Sequence, residues 1–302
     1  MERLDEKEYP TIAIQDSRTG WLFSSPGLIL LTLVIGVPLL GAVVLAVSSY
    51  TFLHPNITPF VGAKNFSNVL SDPYFMDSLW RTVLYSFVTV AGELVLGMGI
   101  ALLLNRNLRF KIVYYAILTI PMAMAPVSVA LSWNMLLQPE LGIVNQTLGF
   151  FGLPQPDWLG SPHLAFWTVA LVDIWQQVSF VILILTAGLA ALPEEPYEAA
   201  TVDGASALSQ FFYITLPMLK PVLLVATIIQ LINEFRTYDL IYVMTKGGPG
   251  ISTDVLSYFI YRRAFLGLSV NEADAASFGL LLVVLLLTIF LFRLIRNSED
   301  ND

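Results

Sequence analysis

Residues 192–217 read LPEEPYEAATVDGASALSQFFYITLP, a polar segment set between two long apolar ones. Within it, Glu198, Ala199, Ala200, Gly204, Ile214, Leu216 and Pro217 form the pattern Glu-Ala-Ala-x3-Gly-x9-Ile-x-Leu-Pro. The segment reads as two short helices around a turn. Pro193 followed by Glu194 and Glu195 suits a helix start, because proline fits the first turn and carboxylates complement the positive end of the helix dipole. Asp203-Gly204 supplies the stop, since glycine adopts the left-handed conformation without a Cβ clash. Ser206 is placed to cap a second helix running into Ile214, and Pro217 marks the return to apolar sequence. Ala199 and Ala200 make one face small, and Glu198 beside them offers a charge to a partner's arginine or backbone amide.

The chain around this insert is greasy. Apolar residues make up 56% of its 302 residues and charged ones 13%, and its mean hydropathy is +0.71, outside the range of ordinary soluble domains. Six runs are long enough to cross a bilayer at about 20 residues each: 22–50, 82–105, 112–137, 164–191, 218–243 and 273–293. The expected fold is all-α, a polytopic membrane protein with six transmembrane helices. Residues 1–20 form a tail, 21–298 the six-helix domain with the hairpin at 192–217, and 299–302 a second tail. The first run is too long for a signal-peptide core and reads as a retained anchor. Pro121 and Pro126 are expected to bend the third span.

Lys and Arg are retained on the cytoplasmic side of bacterial membranes. With the N-terminus inside, the inner set is Arg3, Lys7, Arg18, Arg106, Arg109, Lys111, Lys220, Arg293 and Arg296, against Lys64, Arg81, Lys246, Arg262 and Arg263 outside. Both termini and the hairpin are therefore expected in the cytoplasm of a bacterial inner-membrane protein. Cysteine is absent, which excludes disulfides and thiolate metal sites. The net charge of −8 comes from acids scattered through tails and loops; a solvated surface is expected, with membrane lipid and no nucleic acid as a partner.

Ionisable and amide groups at membrane depth mark solute paths or helix contacts. Asp173, Gln176, Gln177 and Phe180 fall on one face of the fourth span, with Trp175 among them. Gln230, Asn233, Glu234 and Thr237 fall on one face of the fifth, with Arg236 and Asp239 beyond. Two such stripes facing each other suit a hydroxyl-rich solute, because amides and carboxylates bond to hydroxyls while a ring covers an apolar sugar face. The plainer reading is glue between helices. Glu93, flanked by Gly92, Gly97 and Gly99, reads as close packing with a buried hydrogen bond.

The full Glu-Ala-Ala spacing resembles the cytoplasmic coupling signature of permease subunits in binding-protein-dependent ABC importers. Gly62-Ala-Lys-Asn65-Phe66, Gly142-Ile-Val-Asn145 and Thr245-Lys-Gly-Gly-Pro249 look like loops of the carbohydrate branch, closer to the larger maltose-importer permease. The chain has no room for that relative's extra N-terminal spans and large periplasmic insertion, which leaves the sugar itself open. The resemblance implies a type I permease core, with Glu198, Ala199, Ala200, Asp203 and Gly204 docking on an ATPase. It further implies a second homologous permease, two ATP-binding subunits that hold ATP and Mg, and an extracytoplasmic solute-binding protein. By counting from the signature it places the sugar site near Gln177, Phe180, Gln230, Glu234 and Thr237, which coincides largely with the stripes that also hold Asp173 and Asn233.

No Gly-x4-Gly-Lys-Ser/Thr phosphate loop is present, so no cofactor is expected in this chain, which reads as a transport subunit and not an enzyme. His54 and His163 stand without a ligand set, so no metal is expected. Asn56-Ile-Thr58, Asn65-Phe-Ser67 and Asn145-Gln-Thr147 match the glycosylation sequon, a weak signal. Two other classes compete. An ion-driven secondary transporter would use Glu93, Asp173, Glu234 and Asp239 for protons or cations, and a scaffold would tolerate neutralising both stripes.

Overall fold

The computed structural model describes residues 17–55, 60–106 and 108–299. Most of the expected N-terminal tail with Arg3 and Lys7, the Asn56–Thr58 sequon and residues 300–302 lie outside the described residues.

The first span is built from α1 (Ser17–Leu31), a π-helical turn (Thr32–Gly36) and α2 (Val37–Ala46). It lies along the last helix and leaves nearly all its apolar surface uncovered by this chain. A short α3 (Lys64–Leu70) leads to α4 (Pro73–Leu104), which starts nine residues before the apolar run does. Asp72 caps it, accepting from the Tyr74 amide at 2.9 Å, with Pro73 in the first turn. Its 32 residues are about 48 Å long at 1.5 Å each, more than the roughly 30 Å a bilayer needs.

The third run does not cross as one helix. α5 (Lys111–Ala123) and α6 (Pro126–Leu136) meet at 96°, because Met124 and Ala125 are extended (ψ 141° and 135°). Pro126 drives the residue before it out of the helical region, and it opens the next helix as a first-turn proline. The expected bend is thus a right-angled break. The short α7 (Ile143–Phe150) follows, then α8 (Ala165–Ala190), the most buried of the spans. Its main neighbour is α4, and glycines set the approach. A Cβ on Gly92 would stand 2.7 Å from Ile174 Cδ1, and one on Gly97 2.7 Å from Val181 Cγ1.

After α9 (Glu195–Val202) and α10 (Ala207–Gln210), a π-helical turn (Phe211–Thr215) runs directly into α11 (Leu216–Phe235). The fifth span therefore starts at Ala207 and passes through Pro217 without interruption. It also ends earlier than the apolar run suggests. Residues expected to continue the helix to 243 form a separate α12 (Asp239–Met244), because Leu240, Ile241 and Met244 turn to pack with Val129, Ala130 and Leu137 around α6. The Thr237 carbonyl at the break accepts from Ser257 Oγ. α13 (Leu256–Tyr261) and α14 (Val270–Glu299) complete the chain. Among the described residues there is no strand; one isolated bridge joins Ser48 and Phe60.

At the end of the bundle opposite the hairpin, Arg263 pairs with Asp72 at 2.7 Å and Glu272 at 3.1 Å, tying the starts of α4 and α14 together. Arg262 pairs with Asp254 at 2.5 Å. The loops containing the other two sequons are held from within. Asn65 is buried and donates to the carbonyls of Ala46 and Ser48 at 2.8 and 2.7 Å. Asn145 is buried too, donating to Pro139 and Pro156 and accepting from Trp158 Nε1 at 2.8 Å. An amide so engaged is a loop clamp and is out of reach of a glycosyl donor.

Candidate functional site

α4, α8 and α11 bring polar groups together between them. Asp173 accepts from the Tyr85 hydroxyl at 2.7 Å, and Glu93 accepts from Gln230 Nε2 at 2.6 Å. Asn233 donates to Gln230 Oε1 at 3.2 Å, and Thr237 to Glu234 Oε2 at 3.4 Å. Glu93, Asp173, Gln230 and Glu234 are all buried, and no lysine or arginine pairs with them among the described residues. Glu234 also lies against Asp173 and Thr89, and one oxygen of Glu93 has no hydrogen-bond partner among the described residues.

The two expected stripes are divided by this arrangement. Asp173, Gln176, Gln177, Asn233 and Thr237 line a cleft of about 340 Å³, together with Pro126 from α6 and Arg236, Tyr238, Asp239 and Leu240. Gln230 and Glu234 lie behind that wall and spend their bonding on neighbouring side chains. Phe180 is half-buried and is not in the cleft lining. Gln176 turns its amide to the break between α5 and α6, donating to the Met124 carbonyl at 3.0 Å. Arg236 faces the cleft and does not pair with Glu234.

Tyrosines flank the cleft that the sequence reading did not single out. Tyr238 lines it and stacks on Tyr242 with centroids 5.3 Å apart, and Tyr261 lies 5.1 Å and 5.3 Å from the two rings. Tyr258 completes the group, 6.3 Å from Tyr238. Spacings of four and three residues were visible in the sequence; that the two helices carrying them meet was not. The cleft wall is therefore amide, carboxyl, hydroxyl, phenol and one guanidinium, a set that bonds hydroxyls and offers ring faces. Among the described residues no group of His, Cys, Asp or Glu is arranged to hold a metal ion.

The polar insert stands at the other end of the bundle. α9 carries Glu195 and Glu198 in its first turn, with Pro196 rather than Pro193 as the first-turn proline. Gly204 takes φ +77° at the turn, and Ser206 Oγ accepts from the Ser209 amide at 3.3 Å. The Tyr197 hydroxyl donates to Thr215 Oγ1 at 3.0 Å, and Gln210 Nε2 donates to Thr201 Oγ1 at 3.1 Å, so the two arms are braced. Glu198, Ala199, Asp203 and Gly204 are exposed and Ala200 is half-buried. Val202 and Leu208 are 88% and 70% exposed, an apolar pair at the tip left largely uncovered among the described residues.

Comparison with known proteins places the chain in a family. Residues 93–300 match the family model described as binding-protein-dependent transport system inner membrane component. The chain is 35% identical to the trehalose/maltose transport system permease protein MalF of Thermococcus litoralis, over 98% of this chain and all of that one. It is 34% identical to the sulfoquinovosyl glycerol transport system permease protein SmoG of Agrobacterium fabrum, over 99% and 98%. Its fold matches a chain in the crystal structure of a bacterial ABC transporter that imports the acidic polysaccharide alginate, with a TM-score of 0.82 at 23% identity over 94% of this chain and 98% of that one. With its helical spans and braced polar insert, the chain belongs to the binding-protein-dependent transport system inner membrane components: it is a multi-pass permease subunit of an ABC importer, and not an enzyme.

Proposed function

We propose that this chain is one permease half of an ATP-driven importer of a sugar or sugar-like solute. It works with a second homologous permease, two ATP-binding subunits that carry ATP and Mg, and an extracytoplasmic solute-binding protein. The observation that carries the solute class is the cleft between α8, α11 and α12, where Asp173, Gln177, Asn233 and Thr237 face one volume beside Tyr238. Full-length similarity to permeases named for trehalose/maltose and for sulfoquinovosyl glycerol supports the same class. Gln177, Asn233 and Thr237 contact the solute; Gln230 and Glu234 hold the helices that present them.

The hairpin faces the ATPases on the cytoplasmic side, the side on which both termini also lie. Glu198, Ala199, Ala200, Asp203 and Gly204 form the docking face together with exposed Val202 and Leu208. Bracing by Tyr197 and Gln210 lets the hairpin move as one piece with α11, which carries Asn233 toward the cleft. Reversing a 1:99 equilibrium to 99:1 takes about 5.5 kcal/mol of differential binding, which a docked hairpin transmits only if it does not flex.

The test is uptake of labelled sugars by the reconstituted importer with wild-type chain and Glu198→Lys. Wild-type uptake is expected to need ATP and to survive collapse of the ion gradients, and the charge reversal is expected to abolish both uptake and stimulated ATP hydrolysis. Uptake that dies with the gradient and ignores Glu198 would assign the chain to the ion-driven class instead.

A further inference from the structure

At the hairpin end of the bundle a cavity of about 570 Å³ opens between the last turn of α4 and the start of α9. Asn105 and Arg106, just past α4, line it together with Glu194, Tyr197, Thr215 and Leu102. Arg106 and Glu194 are exposed, and neither is in an ion pair among the described residues. One cation and one anion thus face the same space.

Beneath this cavity an apolar groove of about 410 Å³ runs along α4 from Leu94 past Gly99 to Leu102, walled by Phe211, Leu216 and Leu223. Leu102 belongs to both hollows, and the same π-helical turn supplies Phe211 to the groove and Thr215 to the cavity. A Cβ on Gly99 would meet nothing within 4 Å, so the groove floor is open. From Leu94 to Leu102 the groove is about 12 Å long, most of one leaflet's roughly 15 Å hydrocarbon depth.

We propose that the two hollows form one site for a phosphoethanolamine-headed phospholipid, with an acyl chain along Gly99 and the head in the upper cavity. Arg106 takes the phosphate and Glu194 the ammonium. A purely anionic head would meet Glu194 as a like charge, and an apolar helix from a partner would fill the groove while leaving the charged cavity above it unused. The site touches the hairpin through Glu194 and Tyr197, so lipid occupancy steadies the segment that the ATPases engage. The lipid assignment needs only the membrane placement of the chain and does not depend on which solute the cleft carries.

The assembled importer, purified from nanodiscs holding equal parts phosphatidylethanolamine, phosphatidylglycerol and phosphatidylcholine, is analysed for retained lipid by native mass spectrometry. Wild type is expected to retain phosphatidylethanolamine, and Arg106→Gln and Gly99→Leu each to lower that retention by about tenfold, a 1.4 kcal/mol loss. Glu194→Gln is expected to shift retention toward phosphatidylglycerol. Equal retention of the three lipids by wild type, or an unchanged preference in Glu194→Gln, would overturn the proposal. So would a Gly99→Cys cross-link that captures the second permease in place of lipid.

Discussion

Gln230 on α11 donates its amide to the Glu93 carboxylate on α4 at 2.6 Å, both side chains wholly buried. The bond joins the helix that leaves the hairpin to the helix that packs on α8, so it fixes the frame around the cleft.

Gln230→Ala therefore acts on the frame before it acts on the solute. It leaves a buried carboxylate with no donor, a cost of about 3 kcal/mol, and the importer is expected to melt earlier in a detergent thermal-shift assay. Glu93→Gln in the same chain should recover most of that loss, because the neutral amide has less to lose. Additive losses in the double variant would mean the two residues act separately.

The α4–α8 contact is limited by two glycines. Gly97→Ala puts a methyl 2.7 Å from Val181 Cγ1, and overpacking of this kind costs about 1–3 kcal/mol. The yield of assembled importer should fall, and Val181→Ala should restore it. Rescue is the informative outcome, since a glycine needed for flexibility would not respond to a change on the facing helix.

Asn233→Ala and Thr237→Val change groups that line the cleft. Each removes about 1 kcal/mol of hydrogen bonding to a solute hydroxyl, roughly fivefold in apparent affinity. Uptake kinetics should show a raised KM, beyond what the modest fall in melting temperature from the lost bonds to Gln230 and Glu234 accounts for. An unchanged KM would return both residues to the role of glue.

Asp254 lies in the loop before α13, and burial pushes its carboxyl up to about 6 against the opposing pull of Arg262 and Arg81. The folded chain holds that proton to higher pH than the unfolded one, whose carboxyl titrates near 3.8. Its contribution is therefore full at low pH and declines as pH rises toward 6, staying flat above. Thermal melts should show wild type losing stability relative to Asp254→Asn between about pH 4 and 6. The opposite slope would mean that the Arg262 pair outweighs burial.

Length and greasiness made the spans legible, and the Glu-Ala-Ala spacing with Gly204 and Ser206 made the hairpin legible, because both signals are local. The break after Phe235 was not, since Leu240–Met244 contains neither glycine nor proline and is apolar enough to continue a helix. Its cause is burial against α6, a contact made across the chain. Glu93 was readable as a buried acid, but its donor is 137 positions away. Asn65 and Asn145 carried a surface motif and turned out to be interior clamps. Exposure decides that difference, and a three-residue pattern does not encode it.

The right-angled break between α5 and α6 has a mechanical side. α8 grips α5 twice, through Gln176 on the Met124 carbonyl and Ser179 on the Leu118 carbonyl, at 3.0 and 2.5 Å. A carbonyl let go inside a bilayer finds few replacements for a lost donor. α5 is thereby tied to α8, and the extended pair Met124–Ala125 is the joint that sets the angle of α6 to both, as an elbow joins a crank to its arm. Gln177 and Pro126, which line the same cleft, therefore stand on two arms of one linkage.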